Sequence, residues 1–376
     1  MAVKPMGVGV IGSGMISGIY LENMTRRFEI LRVAGICSAH MDRAKARGDA
    51  YGVPARPLEE MLADPEIEMI VNLTPAPAHE GLIRLALEAG KHVYTEKTIT
   101  TDHRTARALA ALAKEKGLYL GAAPDTFLGA ALQTARRAVD EGRIGEITSF
   151  AIATNRDNAF LTPFFTFLNL PGGGVGYDYG VYYLTALFSL LGPAARVAAT
   201  VRAPYPTHED INPKSATFGQ TISTPNESQI AAVLTLKSGV AGTVSFNSDS
   251  VIQDQSYFAL FGTKGILYLP DPNEFGGEVR LLPNWAYDAE EQAPRALENR
   301  FGYAENSRGV GPAEMAWSIR AGRPCRANAE MACHVLDVLD AIIESGKTSA
   351  FVDIESGFER PAPLNLPEGG EESSIR

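Results

Sequence analysis

Met6-Gly7-Val8-Gly9-Val10-Ile11-Gly12-Ser13-Gly14-Met15-Ile16-Ser17 is the stretch of this chain that decides its fold. A short apolar run that ends at glycine is typical of a buried parallel strand. A helical pattern follows it to about Phe28. The sequence therefore predicts a strand, a tight glycine turn and a helix in immediate succession.

The turn has the spacing of the glycine-rich fingerprint of dinucleotide-binding folds, with Ser17 in the last place. The first glycine permits the tight turn, and the second lets a pyrophosphate approach the backbone. The free N–H groups at the helix N-terminus attract the phosphates. We therefore predict cofactor contacts from Gly12, Ser13, Gly14, Met15 and Ile16. The alternative is a purely structural glycine turn.

Strand and helix patterns alternate up to about residue 125. Further strands are predicted at 31–37, 67–73, 92–95 and 118–121, and the helices between them at 42–51, 78–89 and 101–116. Strand, helix and strand at this spacing form a doubly wound parallel sheet. Residues 1–125 are therefore predicted to be a Rossmann dinucleotide-binding domain.

The end of the second predicted strand selects between NAD and NADP. An acid at this place holds the adenosine ribose of NAD, but here the residue is Ser38. The repulsion that would exclude a 2′-phosphate is therefore missing, and Ser38, His40 and Arg43 can bind such a phosphate. The sequence favours NADP over NAD. Alternatively, the nearby Asp42 only caps the next helix.

The pattern changes in residues 126–365. Strands are predicted at 147–154, 196–202, 229–236, 240–247, 257–261 and 266–269, and helices at 128–140, 311–321 and 329–344. Several strands joined by hairpin turns indicate a large, mainly antiparallel sheet, so this domain is α+β. The apolar alternation in 230–246 indicates that the open face of this sheet meets another subunit. The polar residues 366–376 are predicted to be a disordered tail.

Bulk composition excludes several classes of protein. The chain has 376 residues and a net charge of -10, which argues against nucleic acid or an anionic membrane as a partner. No apolar run is long enough to span a membrane, and no signal peptide is apparent. Cys37, Cys325 and Cys333 form neither a disulfide framework nor a metal-ligand spacing. We expect a cytoplasmic protein without a metal.

A glycine run leads into Gly176-Tyr177-Asp178-Tyr179-Gly180-Val181-Tyr182-Tyr183, where a helix is predicted to begin. Residues four apart share a helix face, so Asp178 and Tyr182 can address one small ligand. A carboxylate and a phenol suit the hydroxyl groups of a polyol. Alternatively, Asp178 only caps the helix, and Tyr177, Tyr179 or Tyr183 is the ligand-facing phenol.

On these residues the chain resembles the Gfo/Idh/MocA oxidoreductase family over about residues 6–345. The resemblance rests on Gly12-Ser13-Gly14, on Thr74-Pro75 with His79, on the segment from Gly90 to Lys97, and on Asp178 with Tyr182. It implies that Lys97 is the active-site lysine and that Thr74, Pro75, His79 and Glu96 line the cofactor site. Alternatively, His79 only caps the following helix, and Lys97 only pairs with Glu96.

Two positions depart from the family pattern. Thr98 stands where the family has proline, and Tyr182 where many members have histidine. Tyrosine at this place resembles the branch that contains glucose–fructose oxidoreductase and dimeric dihydrodiol dehydrogenase. The resemblance implies hydride transfer between NAD(P) and a carbohydrate-like substrate, and it is consistent with a homodimer or homotetramer formed through the C-terminal sheet.

The residues permit a mechanism in which Tyr182 is the acid or base. A free phenol is a weak base at neutral pH, and a lysine ammonium such as that of Lys97 favours the phenolate. Asp178 would orient a substrate hydroxyl, with Arg156 as a further substrate ligand. Two other functions stay open: sugar elimination or glycoside cleavage with a recycled cofactor, and a regulator that binds NADP without turnover.

Overall fold

The structure is a computed structural model that describes residues 3–251, 256–285 and 293–376. The chain divides into two compact units. The first comprises Met1–Gly129, Arg300–Cys333 and Pro361–Arg376, and the second Ala130–Asn299 and His334–Arg360. The division differs from the predicted boundary near residue 125, because two later segments also belong to the first unit.

A five-stranded parallel sheet forms the centre of the first unit. Its strands are β1 (Met6–Ile11), β2 (Leu31–Cys37), β3 (Met69–Asn72), β4 (His92–Thr95) and β5 (Leu120–Ala122). They lie in the order β2-β1-β3-β4-β5, and all neighbours are parallel. Every residue of β1 and β3 is buried, as expected for a sheet covered on both faces. The predicted Rossmann sheet is confirmed.

The helices lie close to their predicted positions. They are α1 (Ser17–Arg26), α2 (Met41–Tyr51), α3 (Leu58–Ala63), α4 (His79–Glu88), α5 (His103–Glu115), α6 (Ala130–Asp140), α7 (Asn158–Leu161), α8 (Val181–Leu191), α9 (Val310–Ala321) and α10 (Ala329–Thr348). The short helices α3 and α7 had no predicted counterpart, since a single turn or two carries little periodic signal.

The residues that return to the first unit extend the sheet edge and cover it. The backbone N–H of Ala122, in β5, donates to the carbonyl of Ala327 over 3.1 Å. Residues 366–376 were predicted to be disordered, but they pack against this unit. Ile375 is 0% exposed, the indole Nε1 of Trp317 donates to Glu372 over 2.9 Å, and Arg27 pairs with Glu371 at 2.7 Å. Specific partners for the two acids hold the segment despite its polar composition.

The second unit is built on a nine-stranded sheet. The remaining strands of the chain are β6 (Ile147–Asn155), β7 (Ala194–Arg202), β8 (Thr207–Glu209), β9 (Thr221–Ser223), β10 (Gln229–Leu236), β11 (Ala241–Asn247), β12 (Tyr257–Gly262), β13 (Gly265–Leu269), β14 (Arg280–Pro283), β15 (Arg295–Ala296) and β16 (Val352–Asp353). The sheet order is β15-β14-β13-β12-β6-β11-β10-β7-β16, and β8 pairs with β9 separately. Only β6 and β11 are parallel neighbours in this sheet, so the predicted, mainly antiparallel sheet is confirmed.

The two faces of this sheet differ. Along β10, Ile230, Ala232, Leu234 and Leu236 are buried, and helix α8 packs on the same face through ring contacts of Tyr183 with Phe246 and Phe258. The alternate residues point to the other face, where Val233 is 46% exposed. Its neighbours there on β10 and β11 are the small residues Ala231, Thr243 and Ser245.

Two long loops of this unit, 157–176 and 204–227, are tied together by backbone carbonyls. The side-chain amide of Asn212 donates to the carbonyl of Phe160 over 3.2 Å, and the side-chain amide of Asn226 donates to the carbonyl of Leu168 over 2.7 Å. These contacts order the chain that leads into the glycine run before Asp178.

Candidate active site

The glycine turn after β1 combines a strained backbone with an open surface. Gly12 has φ +112°, and a Cβ there would lie 2.8 Å from the carbonyl oxygen of Leu73, so the turn itself requires glycine. At Gly14 a Cβ would meet nothing within 4 Å. The chain therefore leaves room at Gly14 that the fold does not need, at the N-terminus of α1. This space fits the pyrophosphate of a dinucleotide.

Two serine hydroxyl groups lie beside this turn, at the end of β2. The Oγ of Ser13 donates to the Oγ of Ser38 over 3.0 Å, which brings together two predicted cofactor residues. The Oγ of Ser38 in turn donates to the carbonyl of His40 over 2.7 Å. Arg43, the predicted phosphate ligand on α2, is exposed.

Arg47 is a residue that the sequence reasoning missed. It reaches from α2 back to the glycine turn, where its Nη2 donates to the carbonyl of Gly14 over 3.3 Å. Its Nη1 lies 3.1 Å from the place of a Cβ on Gly18. No carboxylate in the described ranges forms an ion pair with Arg47. A guanidinium without an acidic partner, beside the phosphate cradle, suits an anionic ligand.

His79 connects the loops that follow β3 and β4. Its Nδ1 lies 2.7 Å from the carbonyl oxygen of Thr98, and its Nε2 lies 2.7 Å from that of Thr74. The ring is 0% exposed, and burial lowers the pKa of His79. The Oγ1 of Thr74 donates to Asn72 over 2.8 Å, and Pro75 follows in an extended conformation. His79 thus supports the backbone of the predicted cofactor site from the buried side.

Lys97 follows β4, at the same carboxyl edge of the sheet as the glycine turn after β1. Its backbone N–H donates to the Oε2 of Glu96 over 3.0 Å. The other carboxylate oxygen, Oε1, accepts the hydroxyl of Tyr20 over 2.8 Å. The Lys97–Thr98 peptide bond is cis, although residue 98 is not proline. The predicted residues Glu96 and Lys97 are therefore joined through the backbone amide of the lysine.

In the second unit, Asp178 and Arg156 form an ion pair. The Nη1 of Arg156 donates to the Oδ2 of Asp178 over 2.9 Å, and the two side chains are 23% and 9% exposed. The guanidinium also lies over the Tyr179 ring, 4.0 Å from its centroid. Two residues predicted as substrate ligands are thus brought together at the end of β6 and the start of α8.

The segment that carries Asp178 is a π-helical turn, Gly176–Gly180, which continues into α8. The sequence predicted an ordinary helix start. A single π turn inside an α-helix often occurs at functional sites. A Cβ at Gly173 would lie 2.5 Å from the backbone carbonyl oxygen of Leu168, so close packing requires glycine at this position of the run. At Gly174 a Cβ would overlap the carboxyl group of Glu227. Burial raises the pKa of Glu227 to about 7.

The structure separates the four neighbouring tyrosines by their contacts. Tyr177 donates to Asp340 over 2.6 Å, and Tyr179 donates to Asp271. Tyr183 is 0% exposed and packs among aromatic rings of the core. Burial raises the pKa of both Tyr179 and Tyr183, which keeps their phenols protonated. Tyr182, one turn after Asp178, is 8% exposed.

Within the described residues, no group of three or more His, Cys, Asp or Glu side chains is arranged to hold a metal ion. In the same part of the chain, no helix has the length and apolar character needed to cross a bilayer.

Comparison with known proteins agrees with this geometry. A family model described as "Oxidoreductase family, NAD-binding Rossmann fold" matches residues 6–123, and the GFO/IDH/MocA C-terminal domain matches residues 132–268. The chain belongs to the Gfo/Idh/MocA oxidoreductase family. The family resemblance in the sequence is thereby confirmed, including the order of its two domains.

Two relatives with named activities match this chain at low sequence identity. Trans-1,2-dihydrobenzene-1,2-diol dehydrogenase of Mus musculus is 23% identical over 73% of this chain and 79% of its own length. Scyllo-inositol 2-dehydrogenase (NADP(+)) of Bacillus subtilis is 24% identical over 54% of this chain and 56% of its own length. The chain spans about half the length of the first curated relatives that it matches.

Among solved structures, levoglucosan dehydrogenase in complex with NADH and L-sorbose has a TM-score of 0.80 and 19% identity. The match covers 93% of this chain and 99% of that one. The likeness shows that the Gfo/Idh/MocA fold extends over nearly the whole chain.

Proposed function

We propose that this protein is an NAD(P)-dependent oxidoreductase that transfers a hydride between nicotinamide and a C–OH or C=O carbon of a sugar, polyol or related cyclic substrate. The observation that carries the proposal is in the first unit. Lys97 follows β4 at the sheet edge where the space at Gly14 opens for a dinucleotide. A cation at the carboxyl edge of the strands is suitably placed to act on a substrate beside a bound nicotinamide.

In this proposal each polar side chain has one task. Tyr182 accepts the proton of the substrate hydroxyl at its phenol oxygen during oxidation and returns it during reduction. Lys97 supplies positive charge that favours the phenolate, and the Arg156–Asp178 pair binds neighbouring hydroxyl groups. The bound cofactor supplies the hydride chemistry. Support for Tyr182 comes from its position in the first turn of α8, four residues after Asp178.

The substrate class follows from the relatives and from the site. The names of the relatives specify an inositol, levoglucosan and a cyclic diol, and each of these carries vicinal hydroxyl groups on a ring. A carboxylate paired with a guanidinium can accept and donate hydrogen bonds to adjacent hydroxyls at once. We also assign the chain to the tyrosine-type branch of the family, because Tyr182 stands where many members have histidine.

NADP is the proposed cofactor. Ser38 supplies a hydroxyl where an acid would repel a 2′-phosphate, and its hydrogen bond with Ser13 holds it at the glycine turn. Arg47 adds a positive charge beside that turn. His40 and Arg43 complete the basic surroundings.

We also propose a homodimer or homotetramer in the cytoplasm. The exposed face of the large sheet presents Val233 among small residues, which allows two sheets to pack closely. Cys37, Cys325 and Cys333 are buried and form no disulfide in the described part of the chain, in keeping with a reducing compartment. Sedimentation of the wild type and of Val233→Glu tests this assembly, because a charge on this face should leave only monomer.

An activity screen tests the function directly. NAD and NADP are each offered with scyllo-inositol, levoglucosan, trans-1,2-dihydrobenzene-1,2-diol and a panel of other sugars and polyols, and reduced nicotinamide is followed by its absorbance. We expect net NADPH formation with at least one ring substrate, lost in Lys97→Met. Product without net NADPH would instead indicate elimination with a recycled cofactor. Tight NADP binding with no product would indicate the regulator.

A further inference from the structure

Tyr20 connects the cofactor helix to the active-site lysine. It lies on α1, the helix whose first turn forms the space at Gly14. Its hydroxyl donates to the Oε1 of Glu96 over 2.8 Å, and the Oε2 of Glu96 accepts the backbone N–H of Lys97 over 3.0 Å. One carboxylate therefore bridges a residue of the phosphate-binding helix and the lysine that follows β4.

This bridge lies in the interior of the first unit. Tyr20 is 0% exposed and Glu96 is 9% exposed. Burial, with the nearby charge of Glu96, raises the pKa of Tyr20 well above its usual value, so the phenol keeps its proton and stays a donor. Hydrogen bonds to an ionised acceptor are among the stronger ones in proteins, and more so away from water.

The chain on the other side of Lys97 is held as well. The carbonyl oxygen of Thr98 lies 2.7 Å from the Nδ1 of His79. The backbone is thus held on both sides of Lys97, by Glu96 at its N–H group and by His79 at the next residue. These two contacts set the orientation of the Lys97 backbone.

We propose that Tyr20 is a positioning residue, which holds Lys97 in its working orientation through Glu96. The inference rests on the proposed function, in which Lys97 acts on the substrate. Tyr20 itself touches neither substrate nor cofactor. It acts on the reaction only through the carboxylate.

The buried titratable groups near Glu96 come from three places in the first unit. They are Tyr94 from β4, Asp125 from the segment after β5, and His79 from α4. Burial raises the pKa of Asp125 to about 6, and the negative charge of Glu96 acts in the same direction. Loss of the Tyr20 donor leaves the Glu96 carboxylate with one hydrogen bond fewer among these buried groups.

Tyr94 offers a matched control for the test. Like Tyr20 it is 0% exposed, but its hydroxyl has no hydrogen-bond partner in the described part of the chain. Tyr20→Phe and Tyr94→Phe therefore remove the same atom from similar surroundings, and only the first removes a hydrogen bond.

The experiment compares these two variants, the wild type and Lys97→Met. Turnover is measured on the best substrate of the activity screen, and NADP affinity by quenching of protein fluorescence. Hydrogen exchange is followed at the amide of Lys97 by mass spectrometry. For Tyr20→Phe we expect kcat to fall by about ten- to a hundredfold, NADP affinity to change by less than about twofold, and the Lys97 amide to exchange faster. Tyr94→Phe should match the wild type.

The outcomes separate the inference from the function on which it rests. Equal turnover and equal exchange of the Lys97 amide in the two tyrosine variants, with Lys97→Met inactive, would overturn the role of Tyr20 alone. Normal turnover in Lys97→Met would overturn the proposed function, and the exchange of the Lys97 amide would still test the bridge. If Tyr20→Phe does not fold, Glu96→Gln carries the same measurements, because a neutral amide cannot accept both donors equally.

Discussion

The guanidinium of Arg156 and the carboxylate of Asp178 form a hydrogen-bonded ion pair of 2.9 Å at the junction of β6 and the π turn before α8. Each residue alone suggests a ligand for one substrate hydroxyl. As a pair they are neutral overall, and the carboxylate keeps its position because the arginine is itself stacked on Tyr179. In the proposed function, the substrate would therefore meet an already ordered group.

Asp178→Asn should weaken substrate binding and turnover together. Removing one member of a largely buried ion pair leaves the other charge without its partner, which costs about 3–5 kcal/mol. We expect kcat/KM to fall by about a hundredfold or more and the melting temperature to decrease. Steady-state kinetics and thermal unfolding check both expectations. Asp353→Asn is the control, because its pair with Arg196 is exposed and longer, at 3.6 Å; an equal loss in both variants would contradict a specific role for Asp178.

Tyr182→Phe should abolish proton transfer while the fold is retained. General acid–base groups contribute about a hundred- to ten-thousandfold to rates, and we expect kcat to fall by such a factor. NADP affinity should stay within about twofold of the wild type. Tyr183→Phe, on the adjacent residue of α8, is the comparison. If the Tyr183 variant loses turnover and the Tyr182 variant does not, the two phenols have been assigned the wrong way round.

Gly14→Ala and Gly12→Ala should affect different properties. At Gly14 a methyl group has space, so we expect the melting temperature to stay unchanged while NADP binds about tenfold or more weakly, because the methyl group occupies the approach of the pyrophosphate. At Gly12 the positive φ and the Leu73 carbonyl make alanine costly, by about 1–3 kcal/mol of unfolding free energy. Thermal unfolding with and without NADP measures both. Unimpaired NADP binding by the Gly14 variant would argue against a dinucleotide at this turn.

Arg47→Met should discriminate between the two cofactors. Loss of a charged hydrogen-bond donor to a phosphate costs about 1.5–3 kcal/mol, so NADP should bind about ten- to a hundredfold more weakly. NAD lacks the 2′-phosphate, and its affinity should change little. Lys45→Met is the control, because Lys45 lies on the same helix, is 69% exposed and pairs with Asp49. Ser38→Asp should shift the preference toward NAD. Equal weakening of NAD and NADP in Arg47→Met would place the arginine at the pyrophosphate instead.

Asp125→Asn should alter the pH dependence of stability. The Oδ2 of Asp125 accepts the backbone N–H groups of Gly309 and Gly311, and an asparagine oxygen can accept them too. The folded pKa of about 6 lies above the ordinary value of 3.8, so the folded state binds the proton more tightly. Stability is therefore lost as the pH rises from about 4 through 6.

Between pH 5 and pH 8, the wild type should lose about 1–2 kcal/mol of unfolding free energy relative to Asp125→Asn. Urea unfolding of both proteins at the two pH values measures this difference, and other titrating groups cancel between them. Parallel changes in the two proteins would show that Asp125 is ionised in the fold throughout this range.

The sequence predicted most of the regular structure because its signals are local. Strands such as Gln229–Leu236 were located to the residue, since apolar alternation and the Lys237-Ser238-Gly239 turn specify them without reference to the rest of the chain. The Rossmann turn was equally clear. The two-residue strands β15 and β16 were missed because they contain no repeat of the pattern.

The contacts that organise the candidate site were less accessible. Tyr20 and Glu96 are 76 positions apart, and nothing in a single sequence indicates that one phenol on a helix reaches one acid after a strand. In the sequence, Arg47 has the pattern of a solvent-exposed helix residue, and only the fold shows that its guanidinium reaches the carbonyl of Gly14. The π turn at Gly176–Gly180 has the same residue spacing as an α-helix start, so the sequence pattern does not distinguish the two.

The first unit is assembled from three separate stretches of chain, and this has a consequence for biosynthesis. A ribosome that has completed β5 has released only part of the nucleotide-binding unit, because α9 and the buried Ile375 are translated much later. The second unit must be made in between. Until Ile375 emerges, the surface that it covers is exposed to chaperones and proteases, and expression of residues 1–129 alone should yield an aggregation-prone fragment rather than a separate domain.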